Sequence, residues 1–170
     1  MWHGEPIERS FNLGTFSEYS LVRAEALTAL PDTVAMSRAC VLGCGVMTGV
    51  GSVINCAKVQ PGDTATVVGC GGVGLSAIQG ARIAGASQII AIDTRAVSLR
   101  RAMAAGATHT VLVDPDDHHN DRVVQTVSEL TQSRFSDHAF EATGVAALSF
   151  LPLRLVRNGG NALQIEIASK

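Results

Sequence analysis

Apolar and polar positions divide the chain into a short atypical front and a longer region with one repeated rhythm. Thr64-Ala65-Thr66-Val67-Val68 and Ile89-Ile90-Ala91-Ile92-Asp93 are compact, β-branched apolar runs. Runs that are apolar on both sides of the pleat belong to parallel strands covered on both faces. Between them a helix-periodic stretch follows a glycine turn. Residues 95–105 read as a second helix, with Leu99 and Met103 on one face, Arg100 and Arg101 in solvent, and Gly106 as its stop. Residues 108–113 read as a third strand, and Val123, Val127 and Leu130 mark the inner face of the next helix. Residues 138–142 form a fourth strand. Leu148, Leu151 and Leu155 mark a last helix, which Pro152 either kinks or starts late. Asn158-Gly159-Gly160 is expected to cap it and turn into a fifth strand at 161–167. Strands alternating with helices of this length imply right-handed βαβ units. The fold class is therefore α/β, a doubly wound parallel sheet in the order 3-2-1-4-5 with a sixth strand missing.

The front differs. Residues 14–22 alternate well enough to be a strand, and Trp2, Phe11, Phe16 and Tyr19 cluster around it. One strand cannot close a core by itself, so residues 1–34 read as the last piece of a preceding β domain, and 35–170 as the α/β domain. Leu30-Pro31-Asp32 is a turn, with Asp32 or Thr33 as a helix cap. Residues 35–57 read as helical but carry Gly43, Gly45, Gly49 and Gly51. At about 1 kcal/mol each these argue against a plain surface helix and for close approach of its backbone to something else. Gln60-Pro61-Gly62-Asp63 is a turn into the first strand.

Composition narrows the classes. Hydrophobic residues make up 46 % of the chain and aromatics 4 %, so the core rests on Ala, Val, Leu and Ile. A net charge of −2 leaves no electrostatic footprint for nucleic acid or an anionic membrane. No apolar run is expected to span a bilayer, and the first residues lack the basic and apolar regions of a signal peptide, which implies a cytoplasmic location. Cys40, Cys44, Cys56 and Cys70 include no Cys-x-x-Cys pair. Cys56 and Cys70 read as small buried residues. His109 and His138 fit core edges, and His118-His119 a solvated loop.

The candidate chemistry lies between the first two strands. Gly69-Cys70-Gly71-Gly72-Val73-Gly74 carries the spacing G-x-G-x-x-G after a strand and before a helix. Gly69 allows a tight turn, Gly71 lets backbone approach a pyrophosphate, and Gly74 lets the helix lie close to the strands. The helix N-terminus beyond them suits a phosphate. Asp93, nineteen residues past Gly74, stands where a carboxylate accepts the hydroxyls of an adenosine ribose. Dinucleotide binding follows, with NAD ranked ahead of NADP: Arg95, two positions after Asp93, could tolerate a 2′-phosphate, but the carboxylate repels it.

Further stretches carry a family resemblance: Gly14-Thr15-Phe16-Ser17-Glu18-Tyr19, Leu42-Gly43-Cys44-Gly45-Val46-Met47-Thr48-Gly49-Val50-Gly51-Ser52, Pro61-Gly62-Asp63-Thr64, Phe140-Glu141-Ala142-Thr143-Gly144 and Val156-Arg157-Asn158-Gly159-Gly160. With the glycine turn, they make the chain similar to the zinc-containing medium-chain alcohol dehydrogenases, especially the class III-like and the actinobacterial thiol- or nitroso-dye-linked members. The resemblance implies that residues 1–34 are a remnant of a GroES-like catalytic domain. It implies that Cys44 corresponds to a ligand of the catalytic zinc, that Thr48 and Val73 press on the nicotinamide, and that Thr143 and Gly144 lie against the cofactor. The implied cofactors are NAD and zinc, the implied substrate a small-molecule alcohol or aldehyde (or a thiol–aldehyde adduct), and the implied assembly a homodimer or tetramer. Glu166 departs from the family, which places a small residue there. The remaining zinc ligands have no counterpart in this chain. Two other readings stay open: an inactive nucleotide-binding remnant, and a zinc-free relative of the quinone reductases.

Overall fold

The computed structural model describes residues 15, 17–114 and 116–167. They belong to two units, divided after Ser37. In the first, where a strand is expected, residues 17–19 form bends and 20–22 no regular element, and Tyr19 and Leu21 are exposed. A strand forms only beside another strand, and the described sheet does not include this stretch. Trp2, Phe11, Gly14 and Phe16 lie outside the described residues. The turn at Pro31 closes through the Val34 N–H donating to the Pro31 carbonyl at 2.9 Å. Helix α1 (Met36–Ala39) starts later than a cap at Asp32 or Thr33 would place it.

In the second unit, strands β1 (Thr64–Val68), β2 (Gln88–Asp93), β3 (His109–Leu112), β4 (Ser136–Glu141) and β5 (Val156–Gln164) form one sheet in the order β3-β2-β1-β4-β5. Every pairing is parallel. The order is the one expected from the sequence. Strand residues alternate between two cores. Ala65, Val67, Ile89, Ala91 and Phe140 pack beneath helices α3 (Gly72–Ile83) and α4 (Ala96–Ala105). Val68, Ile90, Ile92, Val111 and Ala139 pack beneath α5 (Asp121–Leu130) and α6 (Leu151–Leu155). Because both faces are covered, the strands read as continuous apolar runs.

Several local expectations are corrected. Met103 is 48 % exposed although Leu99, one turn earlier, is buried, so the inner face of α4 is Ser98, Leu99 and Ala102. Cys56 is exposed; only Cys70 is buried. Pro152 lies in the first turn of α6, after a separate 3-10 turn at Ala146–Leu148, so it marks a late start. Asn158-Gly159-Gly160 lies inside β5 as a bulge, not before it. Ser136 pairs with Val156 and His138 with Asn161, and Gly160 presses on the Asp137 carbonyl, which a Cβ would meet at 2.6 Å.

The helical segment Met36–Ala57 runs through α1, a π-helical turn at Leu42–Val46, helix α2 (Met47–Gly51) and a second π-helical turn at Ser52–Ala57. Gly43 and Gly45 lie in the first π turn and Gly49 and Gly51 in α2, and the resulting helix is long and apolar enough to cross a membrane by length and composition, contrary to expectation. Its α2 portion packs on α3. A Cβ on Gly49 would meet the Val73 carbonyl at 2.4 Å, and one on Gly80 the Val50 Cα at 3.1 Å. Close approach thus accounts for Gly49, whereas Gly43 and Gly45 face nothing within 4 Å.

Within β4, His138 is buried and links it to neighbouring segments. Its Nε2 pairs with Asp63 Oδ2 at 2.9 Å, and its Nδ1 meets the Asn161 amide, which also donates to the Ala57 carbonyl. Asp137 beside it accepts from the Thr64 N–H and Arg157 Nε.

Candidate nucleotide-binding cleft

The carboxyl ends of β1, β2 and β4 open into one cleft of about 380 Å³. Its floor is the turn that leaves β1. Gly69 has φ of +91°, the left-handed region that glycine enters without a Cβ penalty, and a Cβ there would strike Thr143 Cγ2 at 2.6 Å. Gly74 closes the turn from the other side: a Cβ on it would lie 1.8 Å from the Gly69 carbonyl oxygen. Gly71 and Gly72, between them, are exposed and have no atom within 4 Å of a Cβ. The turn is closed where it faces the protein and open where it faces the cleft. Gly71 caps α3 without a side-chain hydrogen bond, which leaves first-turn N–H groups available.

Asp93 ends β2 with its side chain 9 % exposed. Its Oδ2 accepts from the Cys70 N–H at 2.9 Å and its Oδ1 from the Arg95 N–H at 2.8 Å. The carboxylate thus straps the glycine turn to β2 while keeping further acceptor capacity. The Cys70 thiol faces the Ile92 carbonyl, and burial, followed by the charge of Asp93, pushes its pKa up to about 12. It stays a thiol at neutral pH.

Across the cleft, Glu141 is fully buried at the end of β4. Its Oε1 accepts the Thr143 N–H at 2.6 Å and the Thr143 hydroxyl, whose oxygen in turn accepts the Val145 N–H at 3.0 Å. Glu141 Oε2 has no partner among the described residues. Glu166 lines the cleft, and burial, then the charge of the buried Glu141 behind it, raises its pKa above the ordinary carboxylate value.

The fold therefore brings Gly69, Gly71, Asp93 and Thr143 into one cleft lining. Gly72, Val73 and Gly74 continue into the first turn of α3, and Gly144, with φ of +67°, follows Thr143. Cys44 and Thr48 lie on the helical segment, outside that lining; Cys44 is exposed in a π turn, and Gly49 beside Thr48 abuts Val73. No group of three His, Cys, Asp or Glu side chains converges among the described residues. A catalytic zinc needs three protein ligands, so Cys44 with its present neighbours does not fit one. Sequence reasoning missed Glu141, although an acid inside an apolar strand was a visible signal.

Residues 72–169 match the family described as zinc-binding dehydrogenase. The chain is 38 % identical over 168 residues to the S-(hydroxymethyl)glutathione dehydrogenase of Synechocystis sp., covering 98 % of this chain and 44 % of that protein. Among solved structures, an alcohol dehydrogenase zinc-binding domain protein from Burkholderia ambifaria superposes with a TM-score of 0.83 at 34 % identity, over 92 % of this chain and 41 % of that one. Benzyl alcohol dehydrogenase from Acinetobacter calcoaceticus gives 0.84 at 30 % identity, over 92 % and 42 %. The chain spans less than half the length of each of these relatives. With the sheet order, the glycine turn and these matches in agreement, the chain belongs to the zinc-binding dehydrogenase family.

Proposed function

We propose that the chain is the NAD-binding part of a zinc-dependent alcohol dehydrogenase that moves hydride between an alcohol, or a thiol–aldehyde adduct, and nicotinamide. The observation that carries this reading is the cleft, open at Gly71 and Gly72 and bordered by Asp93. In it, the N–H groups at the start of α3 receive the pyrophosphate, and the absent Cβ atoms let backbone come within hydrogen-bonding distance. Asp93 accepts from the adenosine ribose and repels a 2′-phosphate, which favours NAD over NADP. Thr143 and Gly144 border the opposite half. Bound NAD supplies the hydride acceptor. No step is assigned to zinc, because Cys44 alone does not hold it. The division into a GroES-like remnant at 1–34 and a Rossmann domain at 35–170 belongs to the same proposal, as do the roles of Cys44, Thr48 and Val73 toward zinc and nicotinamide.

Calorimetry with ADP-ribose and NAD tests the binding step, and absence of heat at about millimolar ligand sinks it. The lack of converging metal ligands among the described residues favours a second reading, a nucleotide-binding chain that performs no chemistry alone. Bound zinc near one per chain together with alcohol oxidation would eliminate that second reading.

A further inference from the structure

We infer that Glu141 and Glu166 make the β4–β5 half of the cleft selective for a cationic ring, so that the site takes the oxidised dinucleotide in preference to the reduced one. This rests on the nucleotide-binding reading above. On a doubly wound sheet a dinucleotide lies across the point where strand order reverses, here between β1 and β4, with one nucleotide on each half. Asp93, at the end of β2, belongs to one half. Glu166, just beyond β5, lines the same cleft on the other.

Backbone pairing holds the two glutamates together. The Ile165 N–H donates to the Glu141 carbonyl at 2.8 Å, which brings Glu166 alongside the end of β4. Glu166 Oε2 lies over Gly144, 3.3 Å from where a Cβ would stand, so the carboxylate covers a turn with no side chain of its own. Glu141 is fully buried and keeps one oxygen without a partner among the described residues. The one cation among the described lining residues, Arg95, has a side chain 68 % exposed and lies beside Asp93 on the far half. The β4–β5 half thus has one lining acid, Glu166, backed by the buried Glu141, and no countercharge among its described lining residues.

Burial and mutual repulsion hold the Glu166 carboxylate in an unfavourable ionised state. An arriving positive charge relieves that repulsion; a neutral group does not. The nicotinamide ring is a cation when oxidised and neutral when reduced, whereas the two forms share their ribose and phosphate groups. No bond forms or breaks in this discrimination.

The test is calorimetric titration of the chain, and of its Glu166→Gln and Glu166→Ala variants, with NAD⁺, NADH and ADP-ribose. ADP-ribose lacks the ring and certifies that each variant keeps its fold; if one substitution loses it, the other carries the comparison. The expected result is tighter binding of NAD⁺ than NADH by the unmodified chain. Both variants should lose about threefold to tenfold of that ratio, as suits a part-buried charge pair, while still binding ADP-ribose. An unchanged ratio in a variant that still binds ADP-ribose overturns the inference, as does an unmodified chain that binds NADH as tightly as NAD⁺. Either result leaves the nucleotide-binding reading standing. Failure of the unmodified chain to bind ADP-ribose overturns both.

Discussion

Two glycines of one turn, three residues apart, should respond in opposite ways to the same added methyl group. At Gly74 a Cβ would lie 1.8 Å from the Gly69 carbonyl oxygen and 2.9 Å from its carbon. Both obstacles are backbone, so relief requires the turn to move away from α3 by about 1 Å or more, at the upper end of the 1–3 kcal/mol typical of overpacking. For a chain of this size, Gly74→Ala should lower Tm by about 6–12 °C. At Gly71 the backbone has φ of −78° and ψ of −164°, open to any residue, and nothing lies within 4 Å of a Cβ. Gly71→Ala should therefore hold or gain stability, by about 0.4–1 kcal/mol through the unfolded state. Its methyl group nonetheless fills the space through which a pyrophosphate approaches the backbone. ADP-ribose affinity should fall at least about tenfold, or 1.4 kcal/mol. Thermal unfolding by circular dichroism and calorimetric titration on the same preparations separate the two effects. A Gly71→Ala protein that binds ADP-ribose normally refutes the assignment of that space to the ligand. A Gly74→Ala protein with an unchanged Tm refutes the close-packing argument.

Other outcomes are open to direct measurement. Burial raises the Asp137 carboxyl, but the Arg157 hydrogen bond, the Thr64 N–H and the charges of Arg157 and His138 outweigh it and hold its pKa below 3.8. Its contribution to stability is therefore full above that ordinary value and is lost as pH falls through the lowered folded value. In urea titrations across acid pH, Asp137→Asn should show a shallower acid loss than the unmodified chain, and an equal loss would contradict the linkage. Gln132, Ser133 and Phe135 all have positive φ in one loop, at 54°, 63° and 58°. Relief of that strain in exposed Ser133→Gly should stabilise by about 0.5–1 kcal/mol, read as a higher urea midpoint, and a lower one would refute it. Exposed Val41, Met47 and Ile54 on the helical segment, with Phe150 and Leu153 near β5, leave apolar surface uncovered. The chain should self-associate in size-exclusion chromatography; a monodisperse monomer across concentrations would contradict this.

Much of this protein is legible in its sequence because the information is local. A β-branched run, a glycine turn, a helix-periodic stretch and a second run ending in an acid each declare themselves within about a dozen residues. Right-handed crossover then leaves few ways to order the strands, and the order 3-2-1-4-5 follows. The separate tasks of Gly69 and Gly74 were likewise readable, since a turn and a close helix–strand contact are features of that one motif.

Periodicity records which face of an element is covered, but not what covers it or which distant group a side chain meets. That is why Met103 and Cys56 fall on the exposed side, and why Gly49 meets α3 while Gly43 meets nothing. The bulge at Asn158-Gly159-Gly160 likewise arises from pairing with β4, a constraint absent from the β5 sequence itself. The same limit governs the cleft. By itself the sequence determined the glycine turn, the two covered strand faces and the acid at position 93. Only the tertiary structure decided that Asp93 straps that turn through the Cys70 N–H, and that Glu141 and Glu166, twenty-five residues apart, stand together across from it. The physical reason is that charge and hydrogen bonding act through space, and the sheet brings the ends of separated strands into one place.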